Sequence, residues 1–430
     1  MNRRTFVQTS AAAAAAKGVA FAAGARVLGA NDKIRVAVLG VNGRGKSHIR
    51  GFEPQENVEV TTLCDVDLEV AGKRADDFEE KYGRRPKIVQ DMRKVFDDKD
   101  IDVVSVATPN HWHALATIWA CQAGKDVYVE KPGTHSMPQG HSMIAAAKKY
   151  NRIVQHGVQL RSSEAIQEAV QMLHDGKIGK VYMGRALIFK WRPALEQHPD
   201  AKPPKHLDYD LWVGPGKWRE YSKRHVHYNW HWTWDFGNGE IGNQGVHETD
   251  LLQWGLGVKL PNTVTTMGGQ FLWDDNRETP EMLHALCHYK DENKMGEVAV
   301  RFWNSNKEGG AGIGNIFYGS EGHMVIEGYE KYSTFFGRKN EPGPTGEAPT
   351  RHFENFIKAV RSRKTSDQNG PVETAHYSSA LAHVANIAFR RGGTLEFDPK
   401  TEKFVNDDEA NKMITDASRA PYVVPTPDKV

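Results

Sequence analysis

The residues best placed by type and spacing to do chemistry begin with Gly40-Val41-Asn42-Gly43-Arg44-Gly45, directly behind one apolar run and at the start of a helical one. A strand-to-helix turn of this kind lets the backbone approach a pyrophosphate while the first helical N–H groups point at it. Asn42 stands where a dinucleotide fingerprint usually has its second glycine, and asparagine tolerates a left-handed backbone better than most residues. Asp65 follows 25 residues after Gly40, at the end of the next apolar run. A carboxylate there binds ribose hydroxyls and repels a 2′-phosphate. Together these features predict a dinucleotide site that takes NAD rather than NADP.

A second concentration of reactive side chains runs from His225 to Asp235, where His225, His227 and His231 are interleaved with Trp230, Trp232 and Trp234. If the segment is extended, His225 and His227 fall on one side. A metal held by these histidines with His247 or Glu248 is conceivable, but no spacing is diagnostic and no metal is assigned. Indole faces pack on the apolar faces of sugar rings, so a carbohydrate-stacking lid accounts for the segment more economically, with some of the aromatics in the core. Trp230, His231 and Arg161 are the candidate substrate contacts.

The elements that must position these groups fall into two patterns. Short β-branched runs at 34–39, 58–64, 103–107, 127–130 and 153–155 alternate with helical stretches at 67–82, 111–123 and 138–150. This predicts five parallel strands with crossover helices, a doubly wound Rossmann domain over 33–157. After a helix over 162–175 the runs lengthen and alternate, at 181–190, 263–272, 283–289, 298–303, 313–318 and 323–327. They predict an α+β domain over 158–420 with a mostly antiparallel sheet. Residues 193–206 and 340–349 read as Pro- or Gly-rich loops. Helices over 351–363 and 371–391 are expected to pack back onto the first domain.

A chain of 430 residues suits two domains. With 56 Lys and Arg against 54 Asp and Glu, no global basic field exists to hold nucleic acid or an anionic membrane, and small molecules are the expected partners. The 11 Trp, 13 Tyr and 19 His supply groups that stack on sugars and bond their hydroxyls. Cys64, Cys121 and Cys287 are too few and scattered for a disulfide framework, and Cys64 and Cys121 read as buried small side chains. Residues 1–30 open with Arg3-Arg4-Thr5-Phe6 and continue into an Ala-rich stretch ending in small residues. That is the pattern of a twin-arginine (Tat) export signal, and it predicts passage through the Tat machinery to a periplasmic or otherwise exported location. No cysteine near the cleavage region indicates a lipid anchor, and no later run of about 18 apolar residues indicates a membrane span.

Further along, Ala107-Thr108-Pro109-Asn110-His111-Trp112-His113 and Val129-Glu130-Lys131-Pro132 resemble stretches of the Gfo/Idh/MocA oxidoreductases. His352-Phe353-Glu354-Asn355-Phe356 and Ala385-Asn386-Ile387-Ala388-Phe389 are similar to late segments of that family's exported bacterial branch. The resemblance spans nearly the whole chain after the leader. It implies the architecture of glucose–fructose or inositol dehydrogenases, with the nicotinamide at the face between domains. It also implies that Arg44, Gly45, Asp65, Asn110, His113, Glu130, Lys131 and Gln159 neighbour the cofactor, with Gly40, Asn42, Gly43 and Pro109 beside them. Lys131 stands at the carboxyl end of a parallel strand, the edge where doubly wound folds bind ligands. Its ammonium there can polarise a hydroxyl or carbonyl oxygen.

The family's D-x-x-x-H stretch on a helix of the second domain is matched by Asn243-Gln244-Gly245-Val246-His247. The resemblance implies that His247 exchanges the proton, and residues four apart on a helix share a face. Asparagine replaces the aspartate, and an amide orients an imidazole without raising its pKa, so His247 is expected to work near its intrinsic value.

The implied reaction is hydride transfer at a ring carbon of a sugar, polyol or glycoside, with Lys131 orienting the substrate and Asn243 and His247 at the reacting oxygen. An exported enzyme meets little free NAD, so a tightly held cofactor loaded before export is expected. That expectation gives weight to an alternative, an NAD-dependent glycosidase or lyase that oxidises the ring, eliminates the aglycone and returns the hydride. A binding protein without turnover is the third possibility, and retention of Lys131 and His247 argues against it. The resemblance also points to a homo-oligomer.

Overall fold

The computed structural model describes residues 32–302, 312–415 and 418–430. The twin-arginine segment lies outside them. In the first domain, β1 (Ile34–Leu39), β2 (Val58–Cys64), β3 (Lys87–Val89), β4 (Val103–Val106), β5 (Asp126–Val129) and β6 (Val154–His156) form a sheet of order β3-β2-β1-β4-β5-β6. Every pairing in it is parallel. The crossovers carry α1 (Gly45–Phe52), α2 (Leu68–Tyr82), α3 (Met92–Asp97), α4 (Asn110–Gln122) and α5 (Met137–Lys149).

Both faces of this sheet are covered, which is why β4 and β5 are buried at every position and read as largely apolar runs, interrupted only by Ser105 and the leading Asp126. Along β1, Val36 and Val38 enter one apolar cluster while Ala37 and Leu39 enter another on the opposite face. Local signals set the helix ends. The Asp67 carboxylate accepts from the Glu69 and Val70 N–H groups at the start of α2, and Gly83 closes it in a left-handed conformation. Six strands replace the five expected. β3 has only three residues, of which Val89 alone is buried, so it left no apolar run to read.

The second domain begins with α6 (Glu164–His174) and contains α7 (Tyr209–Val213), α8 (Gly239–Asn243) and α9 (Gly245–Leu256). Its strands are β7 (Met183–Phe189), β8 (Thr263–Gly269), β9 (Met282–Tyr289), β10 (Lys294–Arg301), β11 (Ile313–Tyr318), β12 (Gly322–Glu327), β13 (Lys331–Phe336), β14 (Glu341–Glu347), β15 (Gly393–Asp398) and β16 (Lys403–Phe404). They form a ten-stranded sheet of order β14-β13-β12-β11-β7-β10-β9-β8-β15-β16. The β7–β10 pairing is parallel, whereas the remaining pairings are antiparallel. In β9 burial alternates residue by residue, the mark of a sheet with one face on a core. Residues 340–349, expected as a loop, instead supply β14. Pro342 and Pro344 cannot donate to a ladder, and the strand that carries them is accordingly at the sheet's edge.

Two late helices, α10 (His352–Ser362) and α11 (Val372–Arg391), return to the first domain. On α10, Phe353 stacks on Tyr128 of β5 at 4.8 Å between ring centroids. On α11, Ala375 and His376 sit where only Gly133 and Gly140 of the α5 region leave room for them. A last short helix, α12 (Asp408–Lys412), follows the β15–β16 hairpin. Among the described residues no helix is long and apolar enough to cross a membrane.

Candidate active site

The glycine turn is built by close approach. Gly40 has φ +79°, and a Cβ on it would strike the Ala107 backbone at the end of β4. At Gly45 a Cβ would collide with the Gly40 carbonyl oxygen, so this glycine seats α1 against the turn and does not itself line the cleft. Asn42 keeps an ordinary negative φ, so the left-handed tolerance expected of it is not used. No atom lies within 4 Å of where a Cβ on Gly43 would stand, and here the turn opens into the cleft.

Asp65 faces the same cleft from the end of β2 and is buried. One of its oxygens accepts from the Val41 N–H of the turn at 2.9 Å, the other from the Asp67 N–H at 3.0 Å. Burial pushes its pKa up against those two hydrogen bonds. This carboxylate therefore ties the turn to β2 as well as facing the cleft. Gly40, Asn42, Gly43, Arg44, Asp65, Pro109, Asn110, His113, Glu130 and Lys131 all line one continuous cavity, with Asn243, Trp230 and His231 of the second domain opposite them. An open glycine turn at a helix start, an acid at the end of β2 and a polar cluster at the domain junction fit a nicotinamide dinucleotide.

Glu130 anchors that junction. Its Oε1 accepts from Arg44 Nε at 2.7 Å, His48 Nε2 at 3.0 Å and Gln159 Nε2 at 3.1 Å. Burial alone would push its pKa up, but Arg44, His48 and Lys131 outweigh burial and hold it well below the usual carboxylate range. Gln159 also donates to the Tyr128 hydroxyl and lies beneath the cavity rather than on its wall. The His113 ring sits between the carbonyl oxygens of Pro132 (2.6 Å) and Thr108 (2.7 Å), joining the two loops that follow β4 and β5.

Lys131 crosses the junction. Its Nζ donates to the Asn243 carbonyl oxygen at 2.8 Å and to Asn243 Oδ1 at 3.3 Å. Burial pushes its pKa down to about 8, with Glu130 opposing and Arg44 adding to the drop. Asn243 ends α8, and α9 begins at Gly245, so the stretch expected as one helix is two short helices meeting at Gln244. Gln244 itself has helical φ and ψ, so Asn243 and His247 remain about one turn apart. The carboxylate missing at position 243 has a substitute one turn earlier. Glu240 accepts from Asn243 Nδ2 at 3.4 Å while its charge is matched by Arg192 at 2.7 and 2.9 Å.

His247 is buried behind Asn243, outside the cavity wall, with its Nδ1 unpartnered and its ring 4.8 Å from that of Tyr329. The expectation of a near-intrinsic pKa is corrected. Burial, with Lys131 adding to it, pushes His247 well below the usual imidazole range, so the ring is neutral at physiological pH. Beside it, burial pushes Glu248 up to about 8. Its Oε1 accepts from Gln244 Nε2 at 3.1 Å and its Oε2 has no partner. Tyr329 accepts from Gln244 Nε2 at 2.6 Å from the turn between β12 and β13. Neither Tyr329 nor His48 belongs to a motif, and no local pattern could have singled them out.

Two further expectations are revised. Arg161 does not line the cavity. Its guanidinium makes a two-pronged pair with the buried Asp250, at 2.7 and 3.0 Å, and lies over the Trp254 ring. The segment from His225 is a turn leading into a short 3-10 helix, so the extended alternation fails. His225 bonds the Tyr209 hydroxyl, His227 bonds Asp67, and His231 donates to the Tyr228 carbonyl, so these histidines do not converge on one point. Trp232 enters the second-domain core, while Trp230 carries the stacked His231 ring at 3.6 Å on the cavity wall. The three cysteines are buried free thiols.

Residues 34–158 match the family model described as "Oxidoreductase family, NAD-binding Rossmann fold", and residues 163–268 and 339–424 match "Oxidoreductase family, C-terminal alpha/beta domain". An "Uncharacterized oxidoreductase" of Streptococcus pneumoniae is 26% identical over 271 residues, 63% of this chain and 60% of the relative. The chain thus spans less than two thirds of that relative's length. A "Glycosyl hydrolase family 109 protein 1" of Akkermansia muciniphila is 26% identical over 420 residues, 86% of this chain and 82% of the relative. Among solved structures, the WlbA dehydrogenase of Bordetella pertussis, in complex with NADH and UDP-GlcNAcA, shares the fold at a TM-score of 0.64 and 19% identity, covering 85% of this chain and 99% of that one. With both domain models matched across more than half of its length, this chain belongs to the Gfo/Idh/MocA family of NAD-binding oxidoreductases.

Proposed function

We propose that this enzyme acts on a sugar, polyol or glycoside, with reaction at a ring carbon presented between Lys131 and His247. The observation that supports this most is the Lys131 ammonium resting on two oxygens of Asn243 where the dinucleotide cavity meets the second domain. A substrate hydroxyl entering there exchanges for these oxygens and receives the Nζ–H. When bound, NAD supplies the acceptor, and on return the donor, of a hydride. The chain's own groups handle the proton. His247, neutral and one helical turn from Asn243, is the base in this reading, reached past Asn243 because it is buried behind the cavity wall. Lys131 as ammonium favours the oxygen form that carries more negative charge. Trp230 and His231 offer stacked rings to an apolar sugar face. Asp65 disfavours a 2′-phosphate and so supports NAD over NADP.

A second reading is supported by similarity to a relative named as a family 109 glycosyl hydrolase. In it, hydride leaves and returns within one visit of the substrate, and the net change is cleavage of a glycosidic bond. Export through the Tat system to the periplasm, with NAD loaded beforehand and tightly retained, suits this reading, as does a homo-oligomer that shields the cofactor.

The test is to purify the full chain from a Tat-competent host without added cofactor, denature it and assay the released nucleotide. About one NAD per chain is expected, and its absence would sink tight retention. Incubation with aryl glycosides and with free sugars then separates the readings. Stoichiometric NADH identifies a dehydrogenase, whereas aglycone release without net NADH identifies a glycosidase.

A further inference from the structure

Away from the cleft, three side chains from three separate segments meet where the β15–β16 hairpin touches the first domain. His141 lies on α5, His376 on α11, and Glu402 in the hairpin turn, with a left-handed backbone at φ 55°. His141 Nε2 is 2.9 Å from Glu402 Oε2, and His376 Nε2 is 2.8 Å from Oε1. The two imidazoles are 4.2 Å apart between centroids and inclined by 44°. One ligand atom from each residue lies within 4.8 Å of the others.

Two imidazole nitrogens and a carboxylate make a donor set suited to Zn2+ and similar late first-row cations, which bind such ligands at about 2.0–2.2 Å. A cation between the three would replace the two N–H···O contacts. Each ring then carries its proton on Nδ1. A ring protonated on both nitrogens releases the Nε2 proton to solvent, a neutral one takes a proton at Nδ1 as it gives up that at Nε2, and Glu402 binds as the carboxylate. His376 is rigidly seated. It is buried and Gly140 leaves the space its ring fills, while its Nδ1, which carries the proton when Nε2 binds metal, has no acceptor and lowers the affinity. His141 is 47% exposed, which gives a cation entry and leaves coordination positions for water. Lys400 and Lys403 on the same hairpin oppose a cation, which places the expected affinity in the micromolar range rather than the nanomolar.

We propose that His141, His376 and Glu402 form a binding site for Zn2+ or a closely similar divalent transition metal, which clamps the β15–β16 hairpin to α5 and α11. None of the three residues lines the catalytic cleft. The site is therefore structural, and its test does not depend on turnover.

Tag-free full-length protein, stripped with EDTA and dialysed, is titrated with ZnCl2 by calorimetry and melted with and without the metal. The expected result is one Zn2+ per chain with a Kd on the order of 10 µM, and a Tm rise of about 5 °C at hundredfold excess over Kd. His141→Ala, a change at a partly exposed position, should weaken binding at least tenfold and remove the Tm rise. Glu402→Gln should do the same while keeping the side chain's shape. Co2+ added to the wild-type chain gives a check independent of either variant. It should develop d–d absorption distinct from that of the aqueous ion, and Zn2+ should abolish it. No binding up to 1 mM Zn2+, an aqueous Co2+ spectrum, or undiminished binding in both variants would overturn the proposal.

Discussion

Two polar clusters on opposite sides of the cleft treat their buried groups in opposite ways. On the first-domain wall, Glu130 is surrounded by three side-chain donors and remains ionised. Behind the second-domain wall, His247 Nδ1 and Glu248 Oε2 are buried without partners, and burial drives both residues toward their neutral forms. Unpartnered buried groups are uncommon in folded proteins and each one asks for a reason. The difference teaches that the Glu130 cluster is satisfied within the protein before any ligand arrives, whereas the groups behind the second-domain wall, like Thr108 Oγ1 on the first, keep polar capacity in reserve. Lys131 spans the two.

The largest expected effect comes from removing that link. Lys131→Ala should lower kcat by about 10³-fold, because it deletes the charged donor proposed to hold the reacting oxygen. NAD content after purification should stay near that of the wild type. A variant that lost NAD and kept its rate on added cofactor would reverse the roles assigned to the two sides of the cleft.

The next comparison sets His247→Leu against Glu130→Gln. The histidine change should cost about 10²-fold in kcat yet leave stability unchanged or raised, since an orphaned polar atom is replaced by an apolar one. The glutamate change should cost about 3 kcal/mol in urea unfolding, because buried donors lose their charged acceptor. The sign with pH follows from the same pairing. Glu130 has a folded pKa below its unfolded value of about 4.3, so its contribution is fully present above that pH and is lost as pH falls through the folded pKa. Equal stability losses in both variants would erase the contrast between the clusters.

A smaller effect tests the linking lysine in place. With its pKa near 8, Lys131 loses its ammonium as pH rises through that value, and kcat should fall on an alkaline limb there. Asn243→Asp puts a carboxylate against Nζ and should move the limb upward by about one pH unit. A pH–rate profile that stays in place would separate Lys131 from the titrating group. The smallest effect on chemistry belongs to Arg161→Ala. It leaves Asp250 buried without its partner and should lower stability by about 3 kcal/mol while KM changes no more than about twofold. A large KM rise at unchanged stability would return Arg161 to the substrate site.

Much of this molecule was legible in the chain because its causes are local. The apolar runs of β1, β2, β4 and β5 come from burial on both faces, and α2 is bounded by the Asp67 cap and Gly83. The Gly40 turn and Asp65 follow from what a strand-to-helix connection needs near a phosphate. Where local pattern is weak, reading failed. β3 is too short, β14 carries two prolines on an edge, and the His225 segment turns and sends its histidines to separate partners. The site was divided in the same way. Position in a motif pointed to Lys131, Glu130 and Asn243, and tertiary structure alone decided what each one touches. The Lys131–Asn243 contact joins residues 112 apart in sequence, and the Gln244–Tyr329 contact residues 85 apart. The charge state of His247 was beyond the chain for the same reason. A pKa depends on how much water and which charges surround a group, and those are supplied by segments that meet only when the chain has folded.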